Sequence, residues 1–329
     1  MLKPLLTSAL LGVCSTAFAI DTAQPEVQAF IDEMVTEHEF DRLTLSAALE
    51  GAEHKQKIID AISKPAEKSL TWAEYRKIFI TPERIAAGAA FWREHHETLS
   101  HIAATTGVSE EILVGIIGVE TYYGRITGSY RVIDALSTLA FAYPPRAKFF
   151  RKELVEFFLL AREEGMPPDE ATGSYAGAMG RPQFMPSSFR AYAVDSTGDG
   201  KRDIWDNWTD VAGSIANYFN AHGWHSGEAV VTQATLGSAW QGELPEPRNT
   251  LSTKDNIASL SKKGVLFATD LERDASAALL SYAGEDGPEY WVGFHNFFVI
   301  TRYNRSSMYA LAVYQLGQEV AREYEKDAG

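Results

Sequence analysis

The sequence predicts a mainly α protein of the α+β class, a helical body carrying a small inserted β subdomain. Two observations carry this. Apolar residues recur at i, i+3, i+4 and i+7 along most of the 329 residues. Between about residues 227 and 280 that period gives way to short β-favouring runs, split by polar and Gly/Pro-bearing turns. The chain is 45% hydrophobic and 22% charged, which excludes a disordered or collagen-like polymer. Its length allows two or three packed units around ample core.

Residues 1–19 read as a secretory signal peptide rather than as fold. Lys3 supplies the positive start, an apolar stretch follows, and Ala17-Phe18-Ala19 forms an A-x-A cleavage site. Leu11-Gly12-Val13-Cys14 competes as a lipid-attachment site, but Val13 is a poor residue before such a cysteine. The expectation is therefore export to a bacterial periplasm without an outer-membrane lipid anchor. The mature chain would then hold no cysteine, since Cys14 is the single one.

Residues 20–85 are expected to form an N-terminal helical domain. Val27, Phe30, Ile31, Met34 and Val35 make an amphipathic stripe, and Thr71-Trp72-Ala73-Glu74 has capping-box spacing. Thr81-Pro82-Glu83 starts a helix predicted to run to about Thr105, and Ser109 is placed to cap the next, above Glu110 and Glu111. Residues 86–226 would form the central core, with further helices over 147–164 and 209–222. Ala229-Val230-Val231-Thr232 and Val265-Leu266-Phe267 mark the β subdomain, bounded at 227–284. Residues 285–329 return to helix, chiefly over 306–325, and complete the core.

Forty-four acidic against 30 basic residues give a net charge of −14, which opposes non-specific nucleic-acid binding.

Three stretches carry chemistry. The run I-L-V-G-I-I-G-V-E-T-Y-Y-G at 112–124 delivers one carboxylate, Glu120, from a nearly unbroken apolar helix. Such a helix is buried, so Glu120 would emerge at a cleft floor, where desolvation keeps a carboxyl protonated as a general acid requires. A solvated glutamate near a helix C-terminus is the alternative. The stretch 174–189 mixes small residues, prolines and aromatics without period, as a tight loop that approaches a ligand or as a structural wedge. Ser174 and Gln183 there offer neutral groups suited to sugar hydroxyls and amides. It is neither a nucleotide loop nor part of a G-x-S-x-G elbow. Third, Asp195, Thr197 and Asp199 at positions 1, 3 and 5, with Gly200 at 6, match the opening of an EF-hand calcium loop. The Lys201 carbonyl is a fourth ligand candidate, and Asp206 and Asp210 compete to close the loop. Oxygen ligands without thiols disfavour zinc. His95, His96 and His101 read as a solvated face, and His222 and His225 as capping or packing groups.

In order along the chain stand G-V-E-T-x-x-G, A-G-A-M-G-x-P-Q-F-M-P-S-S-F, the D-I-W-D turn, A-N-Y-F-x-A-H-G-W and Ile300-Thr301-Arg302-Tyr303-Asn304. From about Val27 to Gln318 these motifs resemble the membrane-bound lytic murein transglycosylase B family. The resemblance implies a lysozyme-like helical core with an N-terminal helical domain and a small β domain. It also implies cleavage of the β-1,4 bond between N-acetylmuramic acid and N-acetylglucosamine in peptidoglycan, leaving 1,6-anhydromuramoyl ends. One glutamate does the acid and base work in that family, and Glu120 matches it; no second carboxylate accompanies it in its motif, as an ordinary glycosidase pair would need. The supporting positions map to Ser174, Gln183, Tyr218, Tyr303, Asn304 and Tyr309, with Tyr75 and Arg146 lining the sugar cleft. Pro145 departs from the family, which often has arginine there beside Arg146. Structural Ca2+ and no organic cofactor are implied for a monomer acting on peptidoglycan glycan strands, with cell-wall synthesis proteins as candidate partners. A hydrolytic muramidase and a non-catalytic peptidoglycan-binding protein are the rival readings.

Overall fold

The computed structural model describes residues 18–63, 70–246 and 250–326. Cys14 and residues 1–17 of the leader expected over 1–19 lie outside the described residues, and Phe18 and Ala19 at its end are described.

A short β1 (Phe18–Ala19) pairs with β2 (Glu53–His54), and Ile20 beside it is buried. Between them, α1 (Pro25–His38) opens on proline at a first helical position and buries Val27, Phe30, Ile31 and Met34, the stripe read from the sequence. In α2 (Arg42–Glu50) the Asp41 carboxylate accepts from Thr44 N at 2.8 Å, and α3 (Gln56–Ile62) follows. The capping box forms at α4 (Trp72–Phe79): Thr71 N donates to Glu74 Oε2 at 2.8 Å and Glu74 N to Thr71 Oγ1 at 3.3 Å.

The helix expected from Thr81 to about Thr105 is two helices, α5 (Pro82–Glu94) and α6 (His96–Thr106). The chain leaves helical geometry at His95 (φ −115°), whose ring packs on Phe91 at 4.6 Å and Trp208 at 5.2 Å. That bend lets α5 lie on the C-terminal helix while α6 turns onto α11 (Trp208–Ala221). His95 is therefore a packed ring, not part of a solvated face. Ser109 precedes α7 (Glu110–Thr121) with extended backbone but makes no side-chain cap; Glu110 instead accepts from Trp92 Nε1 at 2.6 Å.

Helix α7 buries every residue from Ile112 to Val119. Its main partner is α14 (Ser307–Lys326). A methyl group on Gly115 would stand 2.4 Å from Val313 O, and one on Gly317 2.2 Å from Glu111 O. The two glycines thus let the helix backbones touch at two levels. Against this pair pack α4, α5, α6, α11 and α13 (His295–Tyr303), while α8 (Val132–Ala142), α9 (Ala147–Glu163) and α10 (Pro186–Tyr192) pack on one another beside a small ribbon of β3 (Tyr130–Arg131) and β4 (Thr172–Gly173).

The β subdomain is an antiparallel sheet in the order β6 (Asp255–Asn256), β8 (Ser276–Ala283), β9 (Pro288–Phe294), β5 (Val231–Leu236), β7 (Val265–Phe267). It encloses its own apolar cluster, including Ile257 and Leu260 of α12 (Ile257–Lys262), Val265, Leu279, Val292 and Phe294. The sheet runs on to Phe294 rather than stopping at 284. Strand β9 is needed as the centre: Trp291 faces Gln233 of β5 on one side and Leu280 of β8 on the other. Trp72 of α4 donates to Glu289 Oε2 at 3.2 Å, and Tyr282 Oη to Ser307 O at 3.2 Å, so N-terminal helix, sheet and C-terminal helix meet at one seam. Among the described residues no single helix is long and apolar enough to cross a membrane.

Candidate active site

Glu120 is the penultimate residue of α7, half-buried where every residue from Ile112 to Val119 is enclosed. Immediately after it the chain reverses through two left-handed residues that are not glycine, Tyr122 (φ 51°) and Tyr123 (φ 59°). Each costs about 1–2 kcal/mol. The reversal is held by Tyr122 N on Gly118 O and Tyr123 N on Ile117 O, both at 3.2 Å. It is also held by Thr121, whose hydroxyl accepts from Gly124 N at 3.1 Å and reaches Arg181 O at 3.2 Å. Sequence reasoning missed Thr121 because its partner lies sixty residues away.

The tyrosines expected to support Glu120 converge on it from α13 and α14. Tyr309 is buried and its phenol donates to Glu120 Oε1 at 2.5 Å. Burial first, then the negative charge of Glu120, push the Tyr309 and Tyr303 hydroxyls well above their ordinary range. Both are thus neutral donors at any physiological pH. Tyr303 donates to Pro182 O at 2.7 Å, tying α13 to the 174–189 loop. Tyr75, buried on α4, stands close enough to act on the Tyr309 phenol. Tyr218 is one layer back. Its hydroxyl is spent on Arg302 O at 2.7 Å, its ring packs on Tyr303 at 4.8 Å, and burial pushes it up to about 12.

The 174–189 stretch folds as a tight loop. Ser174 Oγ accepts from Ala176 N at 3.3 Å and Ala178 N at 3.1 Å, leaving its own hydroxyl hydrogen to donate. Gln183 sits in left-handed conformation (φ 53°). Its amide nitrogen donates to Thr127 O at 2.9 Å and Gly180 O at 2.8 Å, two carbonyls that fix the amide orientation. Its oxygen is the atom left for an incoming donor. The loop leads into α10, whose start is gripped by Glu153 of α9: Ser187 N donates to Oε2 at 3.0 Å and Ser187 Oγ to Oε1 at 2.7 Å. Burial raises the Glu153 carboxyl. A legible signal existed here, since Glu153 interrupts the apolar stripe of Phe150, Leu154 and Phe157.

Asn304 ends α13 at the same edge, half-exposed, and its side-chain amide makes no hydrogen bond among the described residues. Arg146 follows Pro145 in a short turn ahead of α9. It is exposed, its guanidinium lying over Phe149 at 4.5 Å and Phe150 at 5.0 Å.

The acidic loop closes through Asp210. Asp210 is fully buried and accepts from Ser196 N at 2.9 Å, Thr197 N at 3.2 Å and Asp203 N at 3.0 Å. Asp206 points away, almost fully exposed, toward Arg181 at 3.6 Å. Asp195 accepts from Gly198 N at 2.6 Å and Gly200 N at 2.7 Å, which holds its carboxyl below the usual range. Thr197 Oγ1 lies 3.2 Å from Asp195 Oδ1 and 3.5 Å from Asp210 Oδ1, so these three converge, while Asp199 turns to Lys201 N at 2.9 Å. An all-oxygen set around a fully buried carboxylate fits a hard divalent cation. His222 and His225 are packing groups, stacked on Tyr218 at 4.2 Å and His295 at 4.1 Å.

A transglycosylase SLT domain matches residues 22–318. The membrane-bound lytic murein transglycosylase B of Escherichia coli (strain K12) is 43% identical over 306 residues, covering 90% of this chain and 83% of its own. The crystal structure of the catenated lytic transglycosylase SltB1 from Pseudomonas aeruginosa superposes with a TM-score of 0.86 at 50% identity, over 92% of this chain and 98% of that one. The Escherichia coli lytic transglycosylase Slt35, solved in complex with calcium, gives 0.84 at 43% identity, over 94% and 97%. SltB3 from Pseudomonas aeruginosa, solved in complex with NAG-anhNAM-pentapeptide, gives 0.75 at 29% identity, over 92% and 80%. With the mainly helical fold, the glutamate-ending apolar helix and its tyrosine cage all in place, the chain belongs to the transglycosylase SLT family.

Proposed function

We propose that Glu120 is the single acid–base residue with which this peptidoglycan lytic transglycosylase opens the β-1,4 bond between N-acetylmuramic acid and N-acetylglucosamine. The observation that carries the reading is the Tyr309 donor on Glu120 Oε1. It fixes the carboxyl, so the transferable proton sits on the other oxygen. That proton passes to the glycosidic oxygen as the C1–O bond breaks, and the muramic acid acetamido oxygen assists at C1. The C6 hydroxyl then attacks C1 and returns its proton to Glu120, leaving a 1,6-anhydro ring and consuming no water.

Ser174 and the Gln183 oxygen orient the acetamido group, and Tyr303 and Asn304 line the same edge. An intramolecular attack held in geometry reaches effective molarities of about 100,000 M or more, far above water at roughly 55 M. A structural calcium ion binds at Asp195, Thr197, Asp199, the Lys201 carbonyl and Asp210, as the calcium complex of Slt35 supports. The leader at 1–19 exports the protein to the periplasm; the name of the Escherichia coli relative supports an envelope location.

Digestion of purified sacculi in water labelled with heavy oxygen tests this. The expected products are anhydro-ended and unlabelled, and Glu120→Gln should lower turnover about 100- to 10,000-fold while still binding glycan. Label at muramic acid C1 would establish a hydrolytic muramidase instead. More than about a tenth of wild-type activity in Glu120→Gln would reject Glu120 as the acid.

A further inference from the structure

Three residues after Glu120, the Tyr123 side chain folds back against the helix that carries the acid. A methyl group on Gly118 of α7 would stand 2.7 Å from its hydroxyl oxygen, and one on Gly88 of α5 2.3 Å. The same two methyl groups would stand 2.8 Å from Leu316 Cδ2 and 2.6 Å from Val320 Cγ2 of α14. The phenol therefore ends in a slot between α5, α7 and α14, and that slot exists because two helix positions lack a Cβ. Phe91 covers the ring, stacked at 5.5 Å.

The slot is a poor lining for a hydroxyl. Tyr123 Oη is buried and makes no hydrogen bond among the described residues. Burial also holds it neutral, above the ordinary phenol range. A buried hydroxyl without a partner destabilises a fold, and phenylalanine would fill the same apolar walls without that penalty. The backbone is unfavourable too, since Tyr123 is left-handed at φ 59° and is not glycine. Two unfavourable features at one residue beside the acid point to a role for it in the reaction.

Its geometry supplies that role. Tyr123 N donates to Ile117 O at 3.2 Å while its side chain presses on Gly118, so residues 117–123 form a closed loop with Glu120 inside it. Arg84 braces the loop from α5, donating to Gly118 O at 2.8 Å and lying over the Tyr122 ring at 4.5 Å. The third wall of the slot, α14, carries Tyr309, whose phenol holds Glu120 Oε1. The reach of the Tyr123 side chain thus sets the spacing between the helix that ends in the acid and the helix that delivers its donor.

We infer that Tyr123 is a positioning residue: its hydroxyl is a spacer, wedged between Gly88 and Gly118, that fixes the Glu120 carboxyl for proton transfer at the expense of stability. This rests on the reading of Glu120 as the acid.

Tyr123→Phe in the full enzyme shortens the wedge by its last atom. On purified glycan strands kcat should fall about tenfold with KM within about twofold, since a misplacement near 1 Å can cost about 100-fold. Tm should hold or rise by up to about 3 °C, because a buried hydroxyl without a partner has gone. A residue that only supports the fold would lower kcat and Tm together. Tyr123→para-methylphenylalanine, made by codon suppression, restores the length with a methyl group in place of the hydroxyl. It should return kcat to within about twofold of wild type. An unchanged kcat in Tyr123→Phe, a fall in Tm alongside kcat, a loss expressed through KM, or no recovery with para-methylphenylalanine would overturn the spacer. Glu120→Gln assayed in parallel separates the two readings. Activity there above about a tenth of wild type rejects the acid, whereas its loss beside an unaffected Tyr123→Phe rejects the spacer alone.

Discussion

Tyr309 Oη lies 2.5 Å from Glu120 Oε1, although the two residues are 189 positions apart. What sets that distance is the contact of their helices at Gly115 and Gly317, where no side chain intervenes. The acid is therefore positioned by a backbone-to-backbone contact, the stiffest kind of packing available.

Tyr309→Phe removes the donor and keeps the ring. Because the lost hydrogen bond is to an ionisable partner, kcat should fall by about 10- to 100-fold with KM little changed. Steady-state kinetics on purified strands reads this; an unaltered kcat would show that Tyr309 merely fills space.

Gly115→Ala pushes a methyl group against the Val313 carbonyl. Overpacking of this kind costs about 1–3 kcal/mol, and each kcal/mol lowers Tm by about 2–4 °C in a chain this size. Activity at low temperature, where the variant remains folded, should fall as well, since α14 carries Tyr309. Full activity alongside a lowered Tm would mean the helix contact stabilises without positioning.

Glu153 is a buried acid whose pKa in the folded state lies above its unfolded value. Such a group favours folding least where it must ionise, so its penalty sets in as pH rises past the unfolded value near 4.5 and is complete above the folded one. Glu153→Gln removes that penalty and can still bond both Ser187 groups. The Tm difference, variant minus wild type, should become more positive between pH 4 and pH 7; a constant difference would refute the linkage.

Calcium should stabilise the folded state by mass action, by about 2.7 kcal/mol at a hundredfold excess over Kd, and so raise Tm. Asp199→Ala should abolish the response, and chelated enzyme should stay active at low temperature. Identical melting curves with calcium and chelator would eliminate the site.

Local information determined much of this protein. The α1 stripe, the Thr71 capping box and the change of period near residue 227 are short-range patterns, and the structure follows each. The start of the acidic loop was equally legible, because its hydrogen bonds from Asp195 to Gly198 and Gly200 span only a few residues. Glu120 was visible as the one acid closing an apolar helix.

What only the tertiary structure decided depends on partners distant in sequence. The break at His95 comes from Trp208, the sheet's reach to Phe294 from pairing with β5, and the choice of Asp210 over Asp206 from which carboxylate the loop buries. Arg146 lies over Phe149 and Phe150, and Arg84 met Tyr122 although no motif linked them. Sequence period fixes which face of a helix is buried; which other helix covers that face, and so what a buried polar group meets there, is set by packing across the whole chain.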